Sequence, residues 1–255
     1  MIFYENFQHY LQAQAEKLAT FQQSNLPDSG VITHVYMSDQ NAPDKNQTHN
    51  DQLDSDQLNG DQLSKESRFT YLITHPVSTL DIDTQGIIHD RHRGMVRLSS
   101  GREGNLYPKR TQIIQRRHLL VVSQADCNAL SHQLGVTVTP QLLGANLVIA
   151  REDHQDFSMS LLPTNTYLLI ARAHEKVPFY PPLATLVTYV QQQGCGTTGK
   201  AIADYYGDPS LVKRFRQIAQ NHRGMICYVE YPVDHIASLH VGQKVCFKYA
   251  SGVAP

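Results

Sequence analysis

The chain has 255 residues, 41% of them apolar and 18% charged, with a formal net charge of -1. That is enough chain and enough apolar side chain for a packed core, which excludes a wholly disordered protein. The near-neutral balance gives no global pull towards nucleic acid or an anionic membrane, and no apolar run approaches the ~20 residues needed to span a bilayer.

The first residues, Met1 to Glu5, lack the basic start and apolar core of a secretory signal, so a cytoplasmic location is expected. An N-terminal unit over residues 1–28 is read as an amphipathic helix that ends near Pro27. Within it Phe3, Phe7, Tyr10, Leu11, Leu18 and Phe21 fall near one face at helical spacing. A single domain over 29–255 follows. Val31 to Met37 reads as a strand, being rich in β-branched and aromatic residues. From 39 to 67 there is little to build a core from, and Asp-Gln-Leu recurs at Asp51, Asp56 and Asp61. A period of five matches neither helix nor strand, so this stretch is read as a disordered, mildly acidic insertion.

Beyond Phe69 the chain reads as short strands with a few helices between them. His118 to Ser123 is an apolar run expected to be a buried strand. Ser123 and Asp126 form a capping box, and the helix behind them is predicted to stop at Gly135. Leu147 to Ile149 and Tyr167 to Ala171 read as strands. Asp208-Pro209 reads as a helix start, with Leu211, Phe215, Ile218 and Ala219 on its inner face. Met225 to Tyr231 and Val241 to Tyr249 close the chain as strands. The whole predicts a mainly β fold with a few helices, barrel-like in architecture.

Three segments carry candidate chemistry. Eight cations fall between Arg91 and Arg117, among them Arg97, and only Glu103 opposes them. Arginine forks in a glycine-rich setting suit phosphate and other planar anions. The second segment runs from Gly194 to Ala201, Gly-Cys-Gly-Thr-Thr-Gly-Lys-Ala. It nearly matches a phosphate-binding loop, but Ala201 stands where the magnesium-binding Ser or Thr is needed. Its glycine amides, Lys200 and the helix start behind it still make an anion cradle. Cys195 sits in that cradle, where amides and a nearby lysine favour the thiolate needed for a nucleophile or metal ligand. The other cysteines, Cys127, Cys227 and Cys246, lie in apolar patterns and are read as buried. No C-x-x-C pair occurs, which argues against structural zinc. The third segment, Gln220 to Gly224, places Arg223 at the end of the last helix, within reach of a ligand phosphate.

Taken in order, the motifs resemble a MOSC domain, related to the molybdenum-cofactor sulfurase C-terminal domain. Gly86 to Gly94 resembles the family's G-x-x-x-D-x-H-x-G segment, with Asp90 and His92 in the matching places. Gly144-Ala145-Asn146-Leu147 resembles G-E-N-L, and Leu162 to Thr166 resembles the turn before the cysteine strand. Cys195 to Lys200 resembles C-x-x-x-G-[KR], and Arg223-Gly224 the family's end. The family cysteine follows Pro directly, whereas here Pro182 and Cys195 are separated by an apolar, Gln-rich stretch read as an insertion. Ala145 replaces the family Glu.

The resemblance implies a MOSC-type β-barrel that binds molybdenum cofactor (molybdopterin). It makes Cys195 the molybdenum ligand or sulfur carrier. Asp90, His92 and Asn146 shape the pocket, and Arg97, Lys200 and Arg223 hold the pterin phosphate. The implied activity is reduction of N-hydroxylated compounds, or sulfuration of the cofactor with sulfur from another protein, since no pyridoxal-phosphate desulfurase region is recognised here. The expected partners are the cofactor and a redox partner or sulfur donor, with no nucleic acid or membrane. A second reading is a non-catalytic MOSC-like module that binds an anionic small molecule or a protein.

Overall fold

The computed structural model describes residues 28–38, 73–99, 105–153, 155–172, 182–231 and 235–249. The helix expected within 1–28 and the Asp-Gln-Leu stretch within 39–67 lie outside the described residues. The chain order opens with β1 (Ser29–Ser38), β2 (Thr74–Pro76), β3 (Thr79–Asp83), β4 (Gly86–Ile87), β5 (Val96–Leu98), β6 (Gln112–Ile114) and β7 (Leu119–Val122). Helix α1 (Gln124–Leu134), the single turn α2 (Pro140–Leu143), β8 (Leu147–Arg151) and β9 (Tyr167–Ile170) follow. The chain then runs through β10 (Ala184–Gln191), α3 (Gly196–Tyr206), α4 (Leu211–Ile218), β11 (Met225–Tyr231), β12 (Ala237–His240) and β13 (Lys244–Lys248).

Seven strands close on themselves in the order β13-β9-β10-β11-β7-β8-β1, and β1 pairs back onto β13. Closure leaves no open edge in this sheet, the usual way an all-β layer avoids edge-to-edge association. Every pairing in it is antiparallel except β7 with β8, which are parallel. That pair needs a crossover, and α1 and α2 supply it. A three-stranded sheet, β12-β3-β4, adds Leu80, Ile82, Ile87, Ala237 and Leu239 to the interior core. β5 and β6 form a separate two-stranded hairpin.

Strand β7 shows why its sequence is apolar throughout. Leu119 and Val121 point into the barrel, while Leu120 and Val122 point outwards into a second core. Leu130 and Leu134 of α1, Ile202 of α3 and Phe215 of α4 fill that second core. A strand covered on both faces has no polar alternation to display.

Local signals behave as the sequence predicts at α1. Ser123 accepts from the Asp126 amide, the Asp126 side chain accepts from the Ser123 amide, and Gly135 closes the helix in the left-handed region at φ 72°. Two expectations are corrected. Helix α4 starts at Leu211 with Ser210 as its flanking residue, not at Pro209. The Asp208 carboxylate accepts from the Ser210 amide at 2.9 Å, a local turn that keeps Pro209 outside the helix. The stretch between Pro182 and Cys195 is not an insertion, because most of it is β10, a barrel strand with Ala184 to Thr188 fully or nearly buried. Its apolar, β-branched run packs between β9 and β11 and delivers the chain directly to Cys195.

Candidate functional site

Strand β10 ends at Gln191, and the Gln192 amide still donates to the Gly224 carbonyl at 2.9 Å. Three residues later the chain turns into α3 with Cys195 at its N-cap, in extended backbone (φ -113°, ψ 152°). The Cys195 Sγ accepts from the Thr198 amide at 3.4 Å and lies 3.3 Å from the Thr198 Oγ1. Cysteine thus takes the place that Ser, Thr, Asp or Asn fills at most helix starts. It is partly exposed, unlike Cys127 and Cys227. Burial pushes the Cys127 thiol up to about 12, with the Asp126 charge adding to it, and burial also raises Cys227 and Cys246.

Arg223 stands behind the cysteine. Its residue is only 4% exposed. One terminal nitrogen donates to the Gln193 carbonyl at 2.6 Å and the other to the Thr198 Oγ1. Its guanidinium lies 5.8 Å from the centre of the Phe215 ring, within the range of a cation–π contact. Arg223 therefore reaches Cys195 through Thr198 and braces the loop on both sides of the sulfur. The resemblance implied a phosphate-holding role for Arg223, but the structure directs both terminal nitrogens inward. Sequence reading missed Thr198; its signal was a hydroxyl three residues after a helix cap.

This brace continues into the fold. Gly224 sits at φ 78°, and a Cβ there would lie 2.2 Å from the Val121 carbonyl oxygen, so only glycine fits. The Gly224 amide donates to the Ser160 Oγ at 2.7 Å. The Ser160 amide in turn donates to Asp126, whose fully buried carboxylate also accepts from Ser123, Ser158 and Met159. The capping box of α1 is thus the far end of a buried polar network that ends at Cys195.

Asp90 and His92 form a second cluster. The Asp90 Oδ1 accepts from the His92 amide at 2.7 Å and lies 3.0 Å from its Nδ1. Burial alone raises the Asp90 carboxyl, but hydrogen bonds from His92 and Ser38 outweigh it and hold the group below the usual carboxylate range. The Gln115 side chain donates to the His92 carbonyl at 3.0 Å. His118 anchors the same loop. Its Nδ1 accepts from the Val229 amide at 3.1 Å, so its Nε2 carries the hydrogen that faces the Gly94 carbonyl at 3.3 Å. Burial depresses the His118 pKa, consistent with a neutral ring. These residues position a loop, and among the described residues no group of three potential metal ligands occurs.

The remaining predicted residues separate. Asn146 is buried, and its Oδ1 accepts from the Leu120 amide at 2.9 Å while its own amide donates to the Leu120 carbonyl. It ties the β7–β8 junction, where the Asn146 side chain supplies the acceptor for the Leu120 amide. Lys200 is exposed on α3, beyond the turn that holds the sulfur. Arg97 lies on β5 and donates to the Leu98 carbonyl. Ala145 is fully buried, so its site holds no carboxylate.

The closed barrel thus carries Cys195 at the cap of the helix that leaves strand β10. The chain belongs to the MOSC domain family, whose model matches residues 108–246. Cys195, Asn146, Lys200 and Arg223 fall inside that match, and Asp90, His92 and Arg97 precede it. Among relatives, YuaD of Bacillus subtilis (strain 168), named for metal-sulfur cluster biosynthesis, is 31% identical over 162 residues, covering 63% of this chain and 77% of YuaD. The crystal structure of the Bacillus subtilis YuaD protein superposes with a TM-score of 0.63 at 21% identity, covering 87% of this chain and 97% of that one. That likeness shows the fold. Among the described residues no helix is long and apolar enough to cross a membrane.

Proposed function

We propose that this protein handles sulfur for a metal centre through Cys195, as a sulfur carrier or as a soft ligand to molybdenum. The observation that carries this reading is the partly exposed Cys195 sulfur at the start of α3, bonded by the Thr198 amide and backed by buried Arg223. A helix N-terminus and a nearby guanidinium favour the thiolate over the thiol. As a carrier, the thiolate attacks the outer sulfur of a donor persulfide. A new S–S bond forms on Cys195, the donor's S–S bond breaks, and the donor leaves as a thiolate with no net redox change. The name of YuaD is consistent with such a role.

Molybdenum cofactor fits this site in part. Cys195 suits a soft metal, while the Arg223 terminal nitrogens already serve the Gln193 carbonyl and the Thr198 hydroxyl, and the Asn146 Oδ1 the Leu120 amide. Cys195 would be the ligand and Arg97 and Lys200 the outer cations, with Asp90 and His92 shaping the loop before β5. When bound, the cofactor would supply two-electron redox chemistry of the kind needed to reduce N-hydroxylated compounds with an outside electron donor. A second reading, a module without its own chemistry, is favoured by one observation, the buried Ala145 where the family carries Glu.

The test is to express the protein and Cys195→Ala in a host that makes molybdenum cofactor. Metal, pterin and protein-bound persulfide are then measured in both. Molybdenum or persulfide in the parent, lost in the variant, supports the proposal. Neither species in the parent after exposure to a persulfide donor overturns it in favour of the second reading.

A further inference from the structure

The chain is close to neutral as a whole but not along its length. Eight of its 22 lysines and arginines, and one of its 23 acidic residues, lie between positions 91 and 117. That segment carries a net charge of +7 against -8 for the remainder. The same segment holds the β5–β6 hairpin, which pairs with neither of the other sheets. Val96 stands opposite Ile114 and Leu98 opposite Gln112, which puts all four side chains on one face of the hairpin. That face is open: Val96 is 51% exposed, Leu98 57% and Ile114 65%. Met95, Leu106 and Tyr107, in the flanking segment and connecting loop, are exposed as well. Arg97 and Ile113 occupy the opposite, partly buried face.

The hairpin stands on a fixed base, so this face is not a loose loop. Gly94 donates to the Gln85 carbonyl at 2.8 Å, Gln115 bonds the His92 carbonyl, and His118 reaches the Gly94 carbonyl. Contiguous apolar side chains on a rigid, exposed face mark interaction surfaces. We infer that the β5–β6 hairpin docks an acidic protein partner whose leucines lie among its carboxylates. Charge complementarity selects acidic chemistry, and the open apolar face selects a partner with apolar side chains. The composition selects protein over lipid or nucleic acid. Protein interfaces are rich in Arg, Met and Tyr and poor in Lys, and this segment has seven Arg to one Lys, with Met95 and Tyr107. Interfacial lipid anchors add Trp or Phe to Leu, and base stacking uses a platform of several aromatic rings; residues 91 to 117 contain neither Trp nor Phe, and Tyr107 is their one aromatic ring besides His92. This inference stands independently of the chemistry of Cys195.

The test uses the full chain and a fluorescent synthetic peptide of alternating Glu and Leu, read by anisotropy. Matched peptides with Gln for Glu, or Ser for Leu, are the controls. The Glu-Leu peptide is expected to bind saturably, at least about tenfold tighter than either control, and to weaken as salt rises. The double variants Lys109→Glu/Arg110→Glu and Leu98→Ser/Ile114→Ser are each expected to weaken it by about tenfold at an unchanged melting temperature. No binding, or binding equal in parent and variants, overturns the proposal. So does hairpin-dependent binding of phosphatidylglycerol vesicles or duplex DNA without peptide binding.

Discussion

Two regions of this molecule use arginine in opposite ways. At Arg223 the guanidinium is buried, and its donors serve Gln193 and Thr198 beside Cys195. On the hairpin between Arg91 and Arg117 most of the cations face solvent, next to exposed apolar side chains. The first arrangement holds one sulfur in place, and removing any member disturbs its neighbours, because buried polar groups depend on each other's hydrogen bonds. The second tolerates change in the isolated protein and presents a surface to something else. The same residue type is a positioning device where the fold encloses it and a recognition element where the fold leaves it open.

The sharpest way to break this contrast is Gly224→Ala. The added Cβ meets the Val121 carbonyl at an impossible distance and the backbone is left-handed, so a loss of more than about 3 kcal/mol is expected. Urea denaturation checks it, and a variant as stable as the parent would mean that the network is not rigid. Asp126→Asn comes next. It turns an acceptor of several buried hydrogen bonds into a mixed donor and should remove about 2–4 kcal/mol. Since Ser160 links Asp126 to Gly224, the rate of Cys195 alkylation should change as well, which a purely local cap would not produce.

Thr198→Val sharpens the comparison with less damage. It removes the hydroxyl between Arg223 and the sulfur. Alkylation of Cys195 by iodoacetamide at neutral pH should slow by about tenfold, the scale of one hydrogen bond to a charged group, and Thr198→Ser should restore it. His118 gives a smaller effect with a defined sign. Its folded pKa is depressed by burial below the ordinary 6.5. The stability it contributes is therefore complete above pH 6.5 and is lost as pH falls through the folded value. Thermal melting followed from pH 7.5 to 5.5 should fall in the parent, and the slope should flatten in His118→Gln. The smallest effect belongs to the hairpin. Leu98→Ser and Ile114→Ser should change stability by no more than about 0.5 kcal/mol each, the range for exposed positions, as checked by the same melts.

Much of the framework was legible along the chain. Ser123, Asp126 and Gly135 define α1 because capping is local chemistry between neighbours. Apolar, β-branched runs marked β1, β7, β8, β9 and β11, and the ordered motifs around Asp90, Asn146, Cys195 and Arg223 pointed to the family that residues 108–246 match. Cys195 stood out among four cysteines because its neighbours are glycine, threonine and lysine, while the others lie in apolar patterns.

What tertiary structure decided is what depends on distant partners. The closure of β1 onto β13 joins residues more than two hundred positions apart, and no local pattern encodes such a pairing. The stretch before Cys195 reads as an insertion until β9 and β11 are seen on either side of it. Arg223 and Thr198 are 25 positions apart, so spacing alone shows a cation near a helix end and not a brace on a sulfur. That Asn146 supplies the acceptor for the Leu120 amide, 26 positions away, shows only once β7 and β8 lie side by side. In each case the side chain's role follows from which groups burial leaves without water, and burial is a property of the assembled barrel.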